Sequence, residues 1–122
     1  MNSVHKNYNL QFSNKKVRNV IDKGVSLINP GDHTYISIMY YLSQIQYAEN
    51  ITDIYLPQID NALNGVAAGG LEVGSEDIEV GQTTTTIIDN GKIETLPTVD
   101  FRSILQEYAI FLKTSPLSDS GA

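Results

Sequence analysis

The sequence predicts an α+β domain: three N-terminal helices, a small antiparallel β-meander, and a C-terminal helix, with the helices packed on one face of the sheet. Three observations lead there. Apolar residues recur at helical spacing before residue 65 and again after residue 100. Between them, "QTTTTIID" and "KIETL" are rich in threonine and β-branched residues, which suit a pleated, half-buried surface. Asp89-Asn90-Gly91 joins those two runs, and Asn-Gly accepts the positive φ angles that a tight hairpin needs. At 122 residues one domain, 1–122, is expected, with 1–12 and 115–122 flexible at its ends.

Taken in order, the first dozen residues are loose or form a short strand at "YNLQF". Ser13 or Asn14 can cap a first helix, in which Val17, Val20, Ile21, Val25 and Ile28 form a stripe. Gly24 weakens that helix, and Asn29-Pro30-Gly31 ends it. Asp32 is the expected N-cap of a second helix, "HTYISIMYYLSQIQYAEN", with Ile36, Met39, Tyr40 and Leu42 on one face and Ile38, Tyr41 and Ile45 widening it. Thr52 caps a short third helix carrying Ile54, Tyr55, Ile59 and Leu63; Pro57 fits only in a first turn, and Gly65 is the stop. The meander follows. The last helix has the clearest stripe: Phe101, Ile104, Leu105, Tyr108, Phe111 and Leu112 follow i, i+3, i+4, i+7, i+10, i+11. Asp100 at its start and Lys113 at its end complement the helix dipole.

Composition narrows the functional classes. A chain that is 41% hydrophobic and 18% charged has neither the signature of disorder nor that of a membrane protein. It has no cysteine, which removes disulfides, thiolate nucleophiles and cysteine metal sites. No apolar run is long enough to span a bilayer, and "MNSVHKNYNLQFSNKK" has no apolar core of a secretory signal, so a cytoplasmic location is expected. The net charge of −6 is unevenly spread. Residues 1–33 carry five basic side chains (Lys6, Lys15, Lys16, Arg18, Lys23) against Asp22 and Asp32, whereas residues 34–112 carry eleven acids against Lys92 and Arg102. A duplex-binding module shows a clustered basic face, so no direct nucleic-acid contact is expected and a basic protein is the better partner.

The chemistry-bearing residues point the same way. Of the two histidines, His5 is expected in a mobile terminus and His33 at the start of a helix, neither with a nucleophile to serve. No nucleophile elbow, Walker loop or zinc-protease helix motif occurs. The EF-hand pattern fails in "GSEDIEVG", so no metal and no cofactor are expected, and no enzymatic activity. What stands out is "LEVGSEDIEVG", with Glu72, Glu76, Asp77 and Glu79 in eleven residues and no cation. Such a cluster serves either as a charged strand edge that resists aggregation or as an electrostatic docking patch. As a patch it would include Asp89 and Glu94. Tyr35, Tyr40, Tyr41, Tyr47 and Tyr55 crowd the second and third helices, as core-rim residues with hydroxyls reaching water or as interface anchors.

"IIDNGKIETL", the "LPTVDF" that follows and the terminal "ILQEYAIFL" together resemble small bacterial immunity proteins of contact-dependent growth inhibition and related polymorphic-toxin systems. The resemblance covers residues 71–113; residues 33–65 share only the general character of a helix pair ahead of the meander. It implies a cytoplasmic, non-enzymatic antitoxin that blocks the active site of a C-terminal toxin domain delivered by a neighbouring cell, with no membrane partner. Many such toxins are nucleases with basic clefts, which an acidic surface could occupy. The competing expectation, of a different class, is a small acidic adaptor or regulatory protein that binds a basic host protein.

Overall fold

The computed structural model describes residues 3–18, 20–69, 71, 74 and 76–114. It is α+β, with antiparallel sheets and helices, but the N-terminal third departs from expectation. Residues 10–27 are not a helix. They form a hairpin of β1 (Leu10–Val17) and β2 (Val20–Leu27), with Arg18 after β1 in the left-handed region at φ 58°. The register pairs Leu10 with Leu27, Phe12 with Val25 and Ser13 with Gly24. The physical reason is alternation. Leu10 and Phe12 are fully buried around an exposed Gln11, a period of two that only a strand delivers. The β-branched valines that mimic a helical stripe are also strong strand formers.

The segment ahead of the hairpin is packed. Val4–Tyr8 is a 3-10 turn whose His5 and Tyr8 are buried, closed by Asn9 at φ 63°. Asn9 locks the base of the hairpin: its carbonyl accepts from Ile28 N at 2.9 Å, and its side chain bonds the backbone of Asn29 and Asp32.

The expected second helix is two pieces. α1 is Ile36–Ser43, and its inward residues are Ser37, Ile38, Tyr41 and Leu42. Tyr40 points out, 46% exposed. Ser43 and Gln44 side chains both donate to the Tyr40 carbonyl, occupying an acceptor of the last turn. After an extended Tyr47 the chain resumes as α2 (Ala48–Asn50), a π-helical segment (Ile51–Tyr55) and α3 (Leu56–Leu63). Thr52 is therefore inside a helical run and not at its start. The wider π turn lies just ahead of Pro57, which has no N–H to continue an α ladder. Gly65 ends α3 as the sequence suggests, at φ 82°. Its N–H donates to Ala62 O and that of Val66 to Asn61 O, the paired bonds of a Schellman close.

β3 (Asp77–Val80), β4 (Thr84–Asp89) and β5 (Lys92–Pro97) form the meander in the order β3-β4-β5. Asn90 (φ 50°) and Gly91 (φ 84°) make the expected turn, and the register pairs Asp89 with Lys92. α4 (Thr98–Lys113) buries Phe101, Ile104, Leu105, Tyr108, Ala109 and Phe111. α1 and α4 both contact β4 and β5. Phe12 meets Tyr108 and Phe111 at ring distances of 4.9 and 5.6 Å, which seats the hairpin on α4. Full burial of one such ring contributes about 1.5–3 kcal/mol. Arg102 of α4 donates through Nε to Asp60 of α3 at 2.7 Å, tying the two helices together.

The tyrosines split. Tyr41 is fully buried and donates to the Leu71 carbonyl at 2.8 Å, Tyr55 is buried, Tyr35 is half-buried and Tyr47 is 63% exposed. Tyr108 is buried, and burial pushes its hydroxyl up to about 12.

Candidate functional site

Strand alternation sorts the carboxylates that lie on the meander strands. Along β3, Asp77 and Glu79 are exposed while Ile78 is buried. Along β5, Glu94 and Leu96 are buried while Ile93 and Thr95 are exposed. The register then builds two faces. The outer face sets Asp77 beside Ile88 and Ile88 beside Ile93, with Glu79, Thr86 and Thr95 forming the next row. The inner face carries Ile78, Thr85, Ile87, Glu94 and Leu96, all buried.

Among the described carboxylates named above, only Asp77 and Glu79 share the outer face. Both are exposed, and neither is in an ion pair among the described residues. Across the sheet from them lies an apolar pair: Ile88 of β4 is half-buried, and Ile93 of β5 beside it is 66% exposed. Asp89 sits at the tip of the hairpin with the inner-face parity, half-buried, and so lies off this surface. Glu72 lies outside the described residues.

Glu94 is not part of a surface patch. It is 3% exposed and its two oxygens cap α1. Oε2 accepts from Ser37 N at 2.9 Å and Oε1 from Ile38 N at 3.1 Å. A carboxylate from a distant strand thus does the work expected of Asp32, satisfying free amides and meeting the positive end of the helix. Lys92 Nζ lies 3.1 Å from Glu94 Oε2 and also donates to the Thr34 carbonyl. Asp32 instead closes a local turn by accepting from Thr34 N and Thr34 Oγ1, and those bonds hold its carboxyl below the usual carboxylate range. Glu76 is also inside, at 3% exposure. Its Oε2 accepts from Gln44 Nε2 at 2.7 Å, while its buried Oε1 has no partner.

A second constellation escapes sequence reading. Glu107 of α4 holds the N-terminal turn: Oε2 accepts from Val4 N at 3.0 Å, and Oε1 from His5 N at 2.9 Å and His5 Nδ1 at 2.5 Å. His5 is 2% exposed, not in a loose end, and stacks on Phe12 at 4.0 Å. Asp100 takes a 2.6 Å bond from the Tyr8 hydroxyl, and burial and that bond together raise the hydroxyl's pKa. The available signal was spacing. Asp100 and Glu107 lie seven apart on a helix, hence on one side, as do His5 and Tyr8 on their turn.

His33 is exposed. Among the described residues no group of three or more His, Asp or Glu could hold a metal ion, and no helix is long and apolar enough to cross a membrane. Comparison with known proteins found no matching family model, no matching curated protein and no matching solved structure.

Proposed function

We propose that this chain is a binding protein that docks a basic protein surface on the outer face of its three-stranded sheet, and that it serves in the bacterial cytoplasm as an immunity protein for a toxin domain. The observation that carries the docking reading is the juxtaposition on that face. An apolar pair, the exposed Ile93 and the half-buried Ile88, lies beside two carboxylates, Asp77 and Glu79, that no described cation neutralises. An apolar centre supplies affinity when desolvated, and a charged surround supplies steering and discrimination. The immunity reading adds the toxin as the basic partner and rests on the sequence resemblance of residues 71–113.

The test is coexpression with the C-terminal domain of the large protein encoded next to this one. The expected result is a co-purifying complex and rescued growth. Within it, D77K/E79K should slow association at least tenfold at low ionic strength and flatten its salt dependence, while Ile93→Ala should speed dissociation. A complex whose kinetics ignore all three substitutions would remove this face from the interface. A non-toxic neighbour that forms no complex would remove the immunity role and leave an acidic adaptor.

A further inference from the structure

We propose that Asn90, at the tip of the β4–β5 hairpin, is a site of spontaneous covalent modification, at which the folded protein loses the side-chain amide and the residue becomes aspartate or isoaspartate. The inference does not rest on the docking face, and the reaction needs no enzyme. The Gly91 backbone nitrogen attacks the carbonyl carbon of the Asn90 side chain. A new N–C bond forms there and the bond to the amide nitrogen breaks. That nitrogen takes the proton given up by Gly91 and leaves as ammonia, and a succinimide ring remains. Water then opens the ring at either carbonyl. One opening gives aspartate; the other carries the main chain through the former side chain and gives isoaspartate.

Sequence alone does not single out this position. The chain holds two Asn-Gly pairs, Asn64-Gly65 and Asn90-Gly91, and in both the attacking nitrogen belongs to a residue with no Cβ to shield it. Both asparagines are exposed. The structure separates them. Gly65 N–H donates to Ala62 O at 2.9 Å and Val66 N–H to Asn61 O at 2.8 Å, so the peptide that must rotate is held in the close of α3. At the hairpin tip, neither the Asn90 side chain nor the Gly91 N–H has a hydrogen-bond partner among the described residues. Nothing lies within 4 Å of the place where a Gly91 Cβ would stand, so no neighbour crowds the attack.

Turn geometry supplies the path. Asn90 at φ 50° and Gly91 at φ 84° form a type I′ turn between the paired Asp89 and Lys92. Rotating the Asn90–Gly91 peptide plane converts it to type II′, takes the Asn90 ψ to about −120° and reverses the sign of the Gly91 φ. Glycine makes that reversal at no steric cost. Both turns close a two-residue hairpin, so the strands stay paired while the Gly91 nitrogen swings toward the Asn90 side chain. The same rotation at Asn64, whose ψ is 9°, breaks the Gly65 bond to α3. The products then diverge. Aspartate suits the same turn and adds a negative charge. Isoaspartate lengthens the main chain by one carbon, so the turn no longer fits between Asp89 and Lys92. Lys92 Nζ lies beside the buried Glu94 and donates to the Thr34 carbonyl, which makes that contact the first to feel the change.

The experiment incubates the full chain in mildly alkaline buffer, folded and in concentrated urea, and follows both asparagines by peptide mapping with mass spectrometry. Isoaspartate is identified by its methylation with an isoaspartyl methyltransferase. In the folded protein Asn90 should convert roughly tenfold faster than Asn64, about the worth of the one hydrogen bond that restrains Gly65. In urea the two should convert within about twofold of each other, since no turn or helix end then distinguishes them. Amide exchange at Lys92 should quicken in the isoaspartate product and stay as it was in Asn90→Asp. Equal rates in the folded protein, faster loss at Asn64, or the same tenfold preference in urea would each overturn the proposal. So would an Asn90 that stays intact in the folded chain while the urea-treated chain reacts.

Discussion

The inner and outer faces of the three-stranded sheet carry the same kind of residue in opposite roles. On the inner face Glu94 is almost wholly buried and both its oxygens close the start of α1. On the outer face Asp77 and Glu79 stand in solvent with no described cation beside them. One step along a strand moves a side chain from one face to the other, so a run of acids in sequence is not a patch of acids in space. The charge that matters for docking is smaller than the count in residues 72–94 suggests, and it is better placed, beside an exposed Ile93 and a half-buried Ile88.

Breaking the inner role should have the largest consequence. Glu94→Ala strands two buried amides and removes the carboxylate beside Lys92, and is expected to cost about 3 kcal/mol in urea unfolding. A loss below about 0.5 kcal/mol, the range of an ordinary surface change, would show that the cap contributes little. Glu107→Ala is next, at about 2 kcal/mol, since three bonds from the N-terminal turn converge on that carboxylate. Hydrogen exchange should report it locally, with protection falling at Val4 and His5 and persisting at Leu105; a uniform fall would assign the loss to global unfolding. Glu76→Gln should go the other way and stabilise by about 1 kcal/mol, because it removes the cost of burying a charge with one oxygen unmet and retains an acceptor for Gln44. A destabilised Glu76→Gln would mean the charge itself is used. Smallest is the outer face: Asp77→Lys with Glu79→Lys should change stability by less than about 0.5 kcal/mol. A larger loss would place those acids in the fold and weaken their assignment to docking.

Much of the C-terminal half was legible. Asn90-Gly91 closes its hairpin, Gly65 stops α3, and the stripe of α4 is buried as its spacing demands. Each is a local signal, complete within a few residues. The N-terminal half misled for the same reason in reverse. Val17, Val20, Ile21 and Val25 satisfy a helical spacing and a strand propensity at once, and only the pairing of β1 with β2 decides between them. The candidate site was half legible. Asp77 and Glu79 are where a docking surface needs them, but the burial of Glu76 and Glu94 depends on which strand face meets the helices. His5 and Glu107 are 102 residues apart, and no local pattern joins them.

Taken alone, the sequence determined the fold class, the turns, the amphipathic terminal helix and the excess of acid after residue 33. These follow from residue-level preferences for φ angles, periodicity and charge, which act over short stretches of chain. The tertiary structure decided that residues 10–27 pair as strands, that Glu94 caps a helix 56 residues away in sequence, and that a histidine near the N-terminus is held against α4. Those outcomes turn on burial. A carboxylate or an imidazole in the interior must find partners wherever the packed chain supplies them, and those partners come from elements distant in sequence.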